Sequence, residues 1–261
     1  MPTYAHGRHE LGQNYLTDRT IIDTILGLVR TTNGPIIEIG PGAGALTSGL
    51  VKINRPLTLV EIDSGLVGRL RDHLPREVVV EHADFLRYRL PNRPHVLVGN
   101  LPFHQTTAIL RRILHAPHWT DAVLLVQWEV ARRRAGVGGS SMMTAQWSPW
   151  VTFELHDRVP ARAFTPRPGV DGGILAIRRN QAPRLPVNQR RKFQGLVHRV
   201  YTGPGRGLAQ ILPRTTNIGS PAQARRWLGR FGLQPHDLPR SLSSDAWIDL
   251  FRTTGTSPPR K

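Results

Sequence analysis

Cysteine is absent from this chain of 261 residues. Disulfides and thiolate metal sites are therefore excluded. Acid is scarce: 18 Asp and Glu stand against 35 Lys and Arg, a net charge of +17. Lysine is scarcer still, with only Lys52, Lys192 and Lys261. Nearly all of the positive charge is thus guanidinium, whose planar fork suits phosphate. No apolar run approaches the roughly 18 residues of a membrane helix. The first ten residues, MPTYAHGRHE, lack the apolar core of a secretion signal. A cytoplasmic protein without membrane contact is the expectation. Internal repeats are missing, and the eleven histidines are scattered. His115 and His118 have no acidic neighbour, so no metal is expected.

Hydrophobic residues make up 39%, enough for a sizeable core. The arginine surplus points to a polyanionic partner, foremost a nucleic acid. Strand-like runs fall at Ile36–Ile39, Leu57–Ile62, Val78–Glu81, Val96–Val98 and Ala122–Val126. Helix-like stretches lie between and after them, near Ala45–Ile53, Gly65–His73, Thr106–Leu114 and Glu129–Arg134. That alternation predicts an α/β fold with a doubly wound, mainly parallel sheet. Two later strands, Val151–His156 and Gly172–Arg178, have no long helix between them and suit a hairpin-like antiparallel edge. NQAPRLPVN then reads as a linker, followed by helices at Asn188–Val200, Pro221–Phe231 and Asp245–Thr253. The expected division is a catalytic domain over 1–179 and a small basic helical domain over 180–261. From 181 to the end there are fourteen Lys or Arg and three Asp.

IIEIGPGAGALT places a buried strand before a glycine turn and a helix. Gly40, Gly42 and Ala45 fit G-x-G-x-x-G/A, a turn through which backbone can approach a ligand. Glu61, at the end of the next strand, can take both hydroxyls of a ribose, with Ile62 beside it. Asp84 follows the third strand and can accept an adenine amino group, with Phe85 as an apolar neighbour. Equally, Asp84 can be a turn cap. These positions share the carboxyl edge of the sheet, where such folds bind ligands. Glu38 would repel a pyrophosphate and suit a cationic ligand, or else cap nearby amides.

Asn100-Leu101-Pro102-Phe103 ends the fourth strand on that edge. The exocyclic amine of adenine is a poor nucleophile because its lone pair is delocalised. Accepting its two hydrogens on the Asn100 side-chain oxygen and the Leu101 carbonyl shifts the nitrogen toward sp3. Pro102 holds Leu101 out of the helical region. Phe103 offers a stacking face for an extruded base. Arg111, Arg112 and the run Arg132, Arg133, Arg134 are candidates for RNA phosphates. A nicotinamide oxidoreductase would account for the glycine turn alone. A non-catalytic RNA-binding protein would account for the charge alone.

In order, GQNYLTD, EIGPGAGALT, LVEID, ADFL and GNLPF resemble the rRNA adenine N6-methyltransferases. That family includes the Erm-type enzymes of 23S rRNA and the dimethyladenosine transferases of small-subunit rRNA. The likeness covers about residues 8 to 180, and ARRRAGVGG and VPARAFTPRPGVDGGILAI are similar to actinobacterial Erm proteins. The resemblance implies a Rossmann-like fold using S-adenosyl-L-methionine. It implies N6-methylation of an adenine in the peptidyl-transferase region of 23S rRNA, blocking macrolides, lincosamides and streptogramin B. The RNA would be free or in precursor particles, and the enzyme a monomer. By the same resemblance, Gln13, Asn14 and Leu16 would line the methionine end of the cofactor, Gly40 would approach it, and Asn100 would touch it. Glu61 would hold the ribose, Asp84 the adenine, and Asn100, Leu101 and Phe103 the target base. Phe164, in AFTPRP, would be a second aromatic flanking that base; taken alone it reads as a core ring. Tyr15 replaces the family's usual phenylalanine, and Phe103-His104 stands where tyrosine-asparagine is common.

Overall fold

The computed structural model describes residues 14–254. A two-residue strand β1 (Tyr15–Leu16) leads into helix α1 (Arg19–Arg30), then β2 (Ile36–Ile39) and α2 (Thr47–Val51). There follow β3 (Leu57–Glu61), α3 (Ser64–His73), β4 (Val79–His82), β5 (His95–Asn100) and α4 (Thr106–His115). Next come β6 (Trp119–Gln127), α5 (Trp128–Arg134), α6 (Met142–Trp147), β7 (Val151–Val159), β8 (Phe164–Thr165) and β9 (Gly172–Arg179). The chain closes with α7 (Arg190–Thr202), α8 (Leu208–Thr215), α9 (Pro221–Gly229) and α10 (Ser244–Thr254).

Seven strands form one sheet in the order β4-β3-β2-β5-β6-β9-β7. The first five run parallel, and β9 lies antiparallel to β6. The order reverses between β2 and β5, so the crevice of a doubly wound sheet opens there. Residues 36–39 and 95–99 are buried throughout, because helices cover both faces of these central strands. This explains their unbroken apolar runs.

No helix or strand is predicted before Ile36, yet α1 is well specified. Asp18 caps it by accepting from Thr20 and Ile21 N–H, and Ile25, Leu26 and Val29 are buried. Two other helices lack a sequence assignment. The six residues of α6 are too few to show a period, and α8 carries Pro213 inside it.

Packing divides the described residues into two units. One holds everything up to Ala131 plus Glu154–Arg178; the other holds Arg132–Phe153 and the chain from Arg179 onward. The segment 132–153 thus joins the helices, with α6 packed on α7. In the helical unit Phe193 meets Trp150 and Phe251 edge-to-face, at 5.6 and 5.4 Å between ring centres. Its three aspartates are all engaged. Asp237 accepts from Gln234 N–H, Asp245 pairs with Arg184, and Asp249 accepts from Trp227 and Arg230.

Gly99 marks where the sheet is tightest. A Cβ there would lie 2.6 Å from the Ile39 carbonyl oxygen of the adjoining strand. Gly99→Ala must push β2 and β5 apart at the crevice. It is expected to cost about 1–3 kcal/mol in urea unfolding, as overpacking does.

Candidate active site

Where β2, β3 and β5 end, a cleft opens to solvent. The turn after β2 forms its floor. Gly40 and Gly42 hold φ of 62° and 58°, a region that side chains resist. At Gly42 a Cβ would also come within 3.1 Å of the Tyr15 ring. The N-terminal strand therefore lies against the turn.

Glu61 clasps that turn. One carboxylate oxygen accepts the Gly42 N–H at 3.0 Å; the other accepts Ile62 and Asp63 N–H at 2.8 and 3.0 Å. Three amide donors orient this buried side chain; Oε1 has both lone pairs engaged, and Oε2 keeps one for a hydroxyl. Ile62 lines the same wall and is 49% exposed, unusual for an isoleucine and suited to a flat apolar ring. Asp84 faces the cleft and also acts as a cap, with Oδ1 accepting Leu86 N–H at 2.9 Å. The hydrogen bond to Leu86 is the turn cap, and it leaves Oδ2 free of that role. Phe85 is buried in the wall.

Glu38 is 1% exposed and also lines the cleft. Its Oε2 accepts the Thr47 hydroxyl at 2.7 Å. Burial raises its pKa to about 8; the Thr47 bond opposes this and nearby Glu61 adds to it. The carboxyl is therefore largely neutral at pH 7 in the free protein.

At the other wall, Asn100 Nδ2 donates to the Asn14 carbonyl at 2.7 Å. A carbonyl accepts only an N–H, so the amide is oriented and Oδ1 remains as the acceptor. Leu101 N–H donates to Leu125 O at 2.9 Å, seating this peptide on β6. The Pro102 carbonyl accepts from Gln105 N–H and the Thr106 hydroxyl, which closes the turn. Phe103 is half-buried and lines the cleft.

Most sequence-assigned residues come together here. Asn14, Leu16, Gly40, Gly42, Glu61, Ile62, Asp84, Phe85, Asn100, Leu101, Pro102 and Phe103 all line one cleft. Gln13 lies outside the described residues. Phe164 does not line the cleft: it is 3% exposed in the core and stands edge-to-face behind Phe103, 6.3 Å between centres. Between a proline turn and the sheet, it supports the ring that faces the cleft. The arginines divide. Arg111 and Arg133 are exposed. Arg112 instead donates to the Tyr88 carbonyl at 2.8 Å, and Arg134 to the Ser141 hydroxyl at 2.7 Å. Guanidiniums tied down in this way are poorly placed for phosphate. Tyr15 and Gln105 line the cleft without having been assigned a site role; Tyr15 stood out only as a departure from QNFL.

Among the described residues, the lining contains three carboxylic acids and no Lys, Arg or His. In a chain of net charge +17 that is a strong local inversion. Beside it sits a turn with oriented acceptors and an aromatic face. This is a methyltransferase architecture, in which a nucleoside cofactor is held against the edge of a doubly wound sheet. The sequence matches the family described as ribosomal RNA adenine dimethylase over residues 5–252. The chain belongs to that family.

It is 60% identical to an rRNA adenine N-6-methyltransferase of Corynebacterium diphtheriae over 215 residues, 82% of this chain and 85% of the relative. It is 48% identical to the mycinamicin-resistance protein MyrB of Micromonospora griseorubida, covering 97% of this chain and 81% of MyrB. The crystal structure of the 23S rRNA methyltransferase ErmE superposes with a TM-score of 0.83 at 30% identity, over 92% of this chain and 99% of that one.

Because folding raises the Glu38 pKa, the unfolded chain releases this proton first as pH rises. Stability is then lost between about pH 4.5 and about pH 8, and is level above. Glu38→Gln should flatten that part of the profile. Urea unfolding of the cofactor-free protein near both limits checks it: an unchanged difference between them would contradict the buried neutral acid.

Proposed function

We propose that the protein transfers a methyl group from S-adenosyl-L-methionine to N6 of a specific adenine in 23S rRNA. The acid-only lining of the cleft carries the cofactor reading. Among the described residues a pyrophosphate would meet three carboxylic acids and no cation there, which disfavours a nicotinamide dinucleotide. A sulfonium and an ammonium group suit the same wall. The ErmE likeness and the MyrB name support 23S rRNA as the target and resistance to macrolides, lincosamides and streptogramin B as the outcome.

When bound, the cofactor supplies an electrophilic methyl group. The chain does the rest by holding groups in place. Glu61 presents the remaining lone pair of Oε2 to a ribose hydroxyl while its amide donors keep it aligned. Asp84 offers its second oxygen to the adenine amino group, beside the apolar surfaces of Ile62 and Phe85. Glu38 gives up its proton when a cation enters, so cofactor affinity rises toward alkaline pH. Asn14 and Leu16 border the methionine end, and in this reading Gln13 joins them.

On the substrate side, Phe103 stacks on the flipped base, backed by Phe164. Asn100 Oδ1 and the Leu101 carbonyl accept the two amine hydrogens, which turns the nitrogen lone pair toward the methyl group. The surplus proton leaves to water after transfer, and most of the rate comes from positioning. No metal takes part. The enzyme works as a cytoplasmic monomer on free or precursor rRNA. Among the described residues, no helix is long and apolar enough to cross a membrane.

Phosphate contacts fall to Arg111 and Arg133 and to the basic helical domain, 180–261. There Arg191 and Lys192 on α7 and Arg225 and Arg226 on α9 are exposed.

Labelled methyl transfer to protein-free 23S rRNA, and not to 16S rRNA, is the expected result; transfer to 16S alone would favour a small-subunit enzyme. Asn100→Ala should bind cofactor nearly as well and lose at least about tenfold in kcat. The double variant Arg225→Ala/Arg226→Ala should shift the salt dependence of RNA binding by about 0.7 in log–log slope per lost phosphate contact. An unchanged slope would remove α9 from the interface.

A further inference from the structure

A second recess lies on the same sheet edge, at the carboxyl end of β6. Trp128, Glu129, Arg158, Val170 and Asp171 border it. In the register of β5 on β6, Asn100 pairs with Leu125, and Trp128 follows three residues on. At strand rise and spacing this places Trp128 about 10 Å from Asn100, within reach of a nucleotide close to the target base.

The recess is built rather than incidental. The pairing of Gln127 with Gly172 brings Asp171 beside Trp128. Trp128 N–H donates to the Asp171 carbonyl at 2.9 Å. Arg158 places Nε and Nη2 each 2.8 Å from Asp171 Oδ2, while Oδ1 accepts Ala161 N–H at 2.8 Å. So held, the Arg158 guanidinium sits 5.4 Å from the Trp128 ring centre. Glycine at 173 makes room for the ring, since a Cβ there would lie 3.0 Å from it. The result is a layered platform of indole and guanidinium, with the Arg158 side chain 61% exposed.

We infer that this platform binds the base of a nucleotide flanking the target adenine, by stacking on Trp128 and Arg158. The charge balance favours a base over a phosphate. Asp171 takes two of the Arg158 nitrogens, so the guanidinium offers its plane to a base more readily than its charge to a phosphate. Stacking on aromatic rings and guanidinium planes is how single-stranded RNA is commonly gripped. The inference rests on the adenine-methylation reading and adds a specificity element to it.

The test uses a short RNA hairpin containing the target, intact or with one abasic nucleotide at each position flanking the adenine. For the wild type, one flanking abasic site should raise KM about tenfold with kcat little changed, the scale of a lost base stack. Trp128→Ala should raise KM on intact RNA by a similar factor and be insensitive to that same abasic site. Trp128→Phe should restore most of the affinity. Arg158→Lys keeps the charge, loses the plane, and should also raise KM. If no flanking abasic site affects the wild type, or if the Trp128→Ala and abasic effects simply multiply, the inference is overturned, whatever the folding of the variant. If the wild type transfers no methyl group to the intact hairpin, the adenine reading itself fails.

Discussion

The structure turns on one electrostatic contrast. A chain of net charge +17 closes around a cleft that, among the described residues, is lined by three carboxylic acids and no basic side chain. The phosphate chain is drawn to the protein but finds no counter-charge inside the cleft. Glu38 shows what this arrangement costs. Stripped of water and set near Glu61, its carboxyl holds its proton to about pH 8, and only a cationic ligand makes the ionised form comfortable.

Around that contrast the sheet works as a jig. The reversal of strand order between β2 and β5 opens the crevice, and Gly99 lets the two strands approach closely enough to keep both walls in register. Each functional oxygen is then oriented by a backbone partner elsewhere in the chain. Glu61 is held by amides of its own strand end and of the glycine turn. Asn100 is held by the carbonyl of Asn14, 86 residues earlier. This preorganisation matters because the chemistry needs acceptors already in place and no covalent help from the protein.

Much of the sheet was legible in advance because its central strands are buried on both faces and read as unbroken apolar runs. The cleft was legible because its parts recur at strand ends, where only glycine, an acid or an amide makes chemical sense. Elements without a strong period were not. The six residues of α6 and the proline-bearing α8 are stabilised by what they pack on. α1 had a cap and an apolar stripe, and could have been read from them. The placement of 132–153 with the helices follows from contacts made across long sequence separation, which no local pattern encodes.

The sequence by itself determined the fold class, the order of the motifs, the excess of arginine and twelve of the residues that line the cleft. These follow from local chemistry: burial pattern, turn geometry and side-chain type. Only the tertiary structure decided which groups are available. It withdrew Arg112 and Arg134 onto internal oxygens and moved Phe164 behind Phe103. It also committed the Asn100 amide N–H to the Asn14 carbonyl, leaving Oδ1 as the acceptor, and assembled Trp128, Arg158 and Asp171 from three separate strand ends. A side chain's type states what it can bond; only packing states which of those bonds the protein has already made.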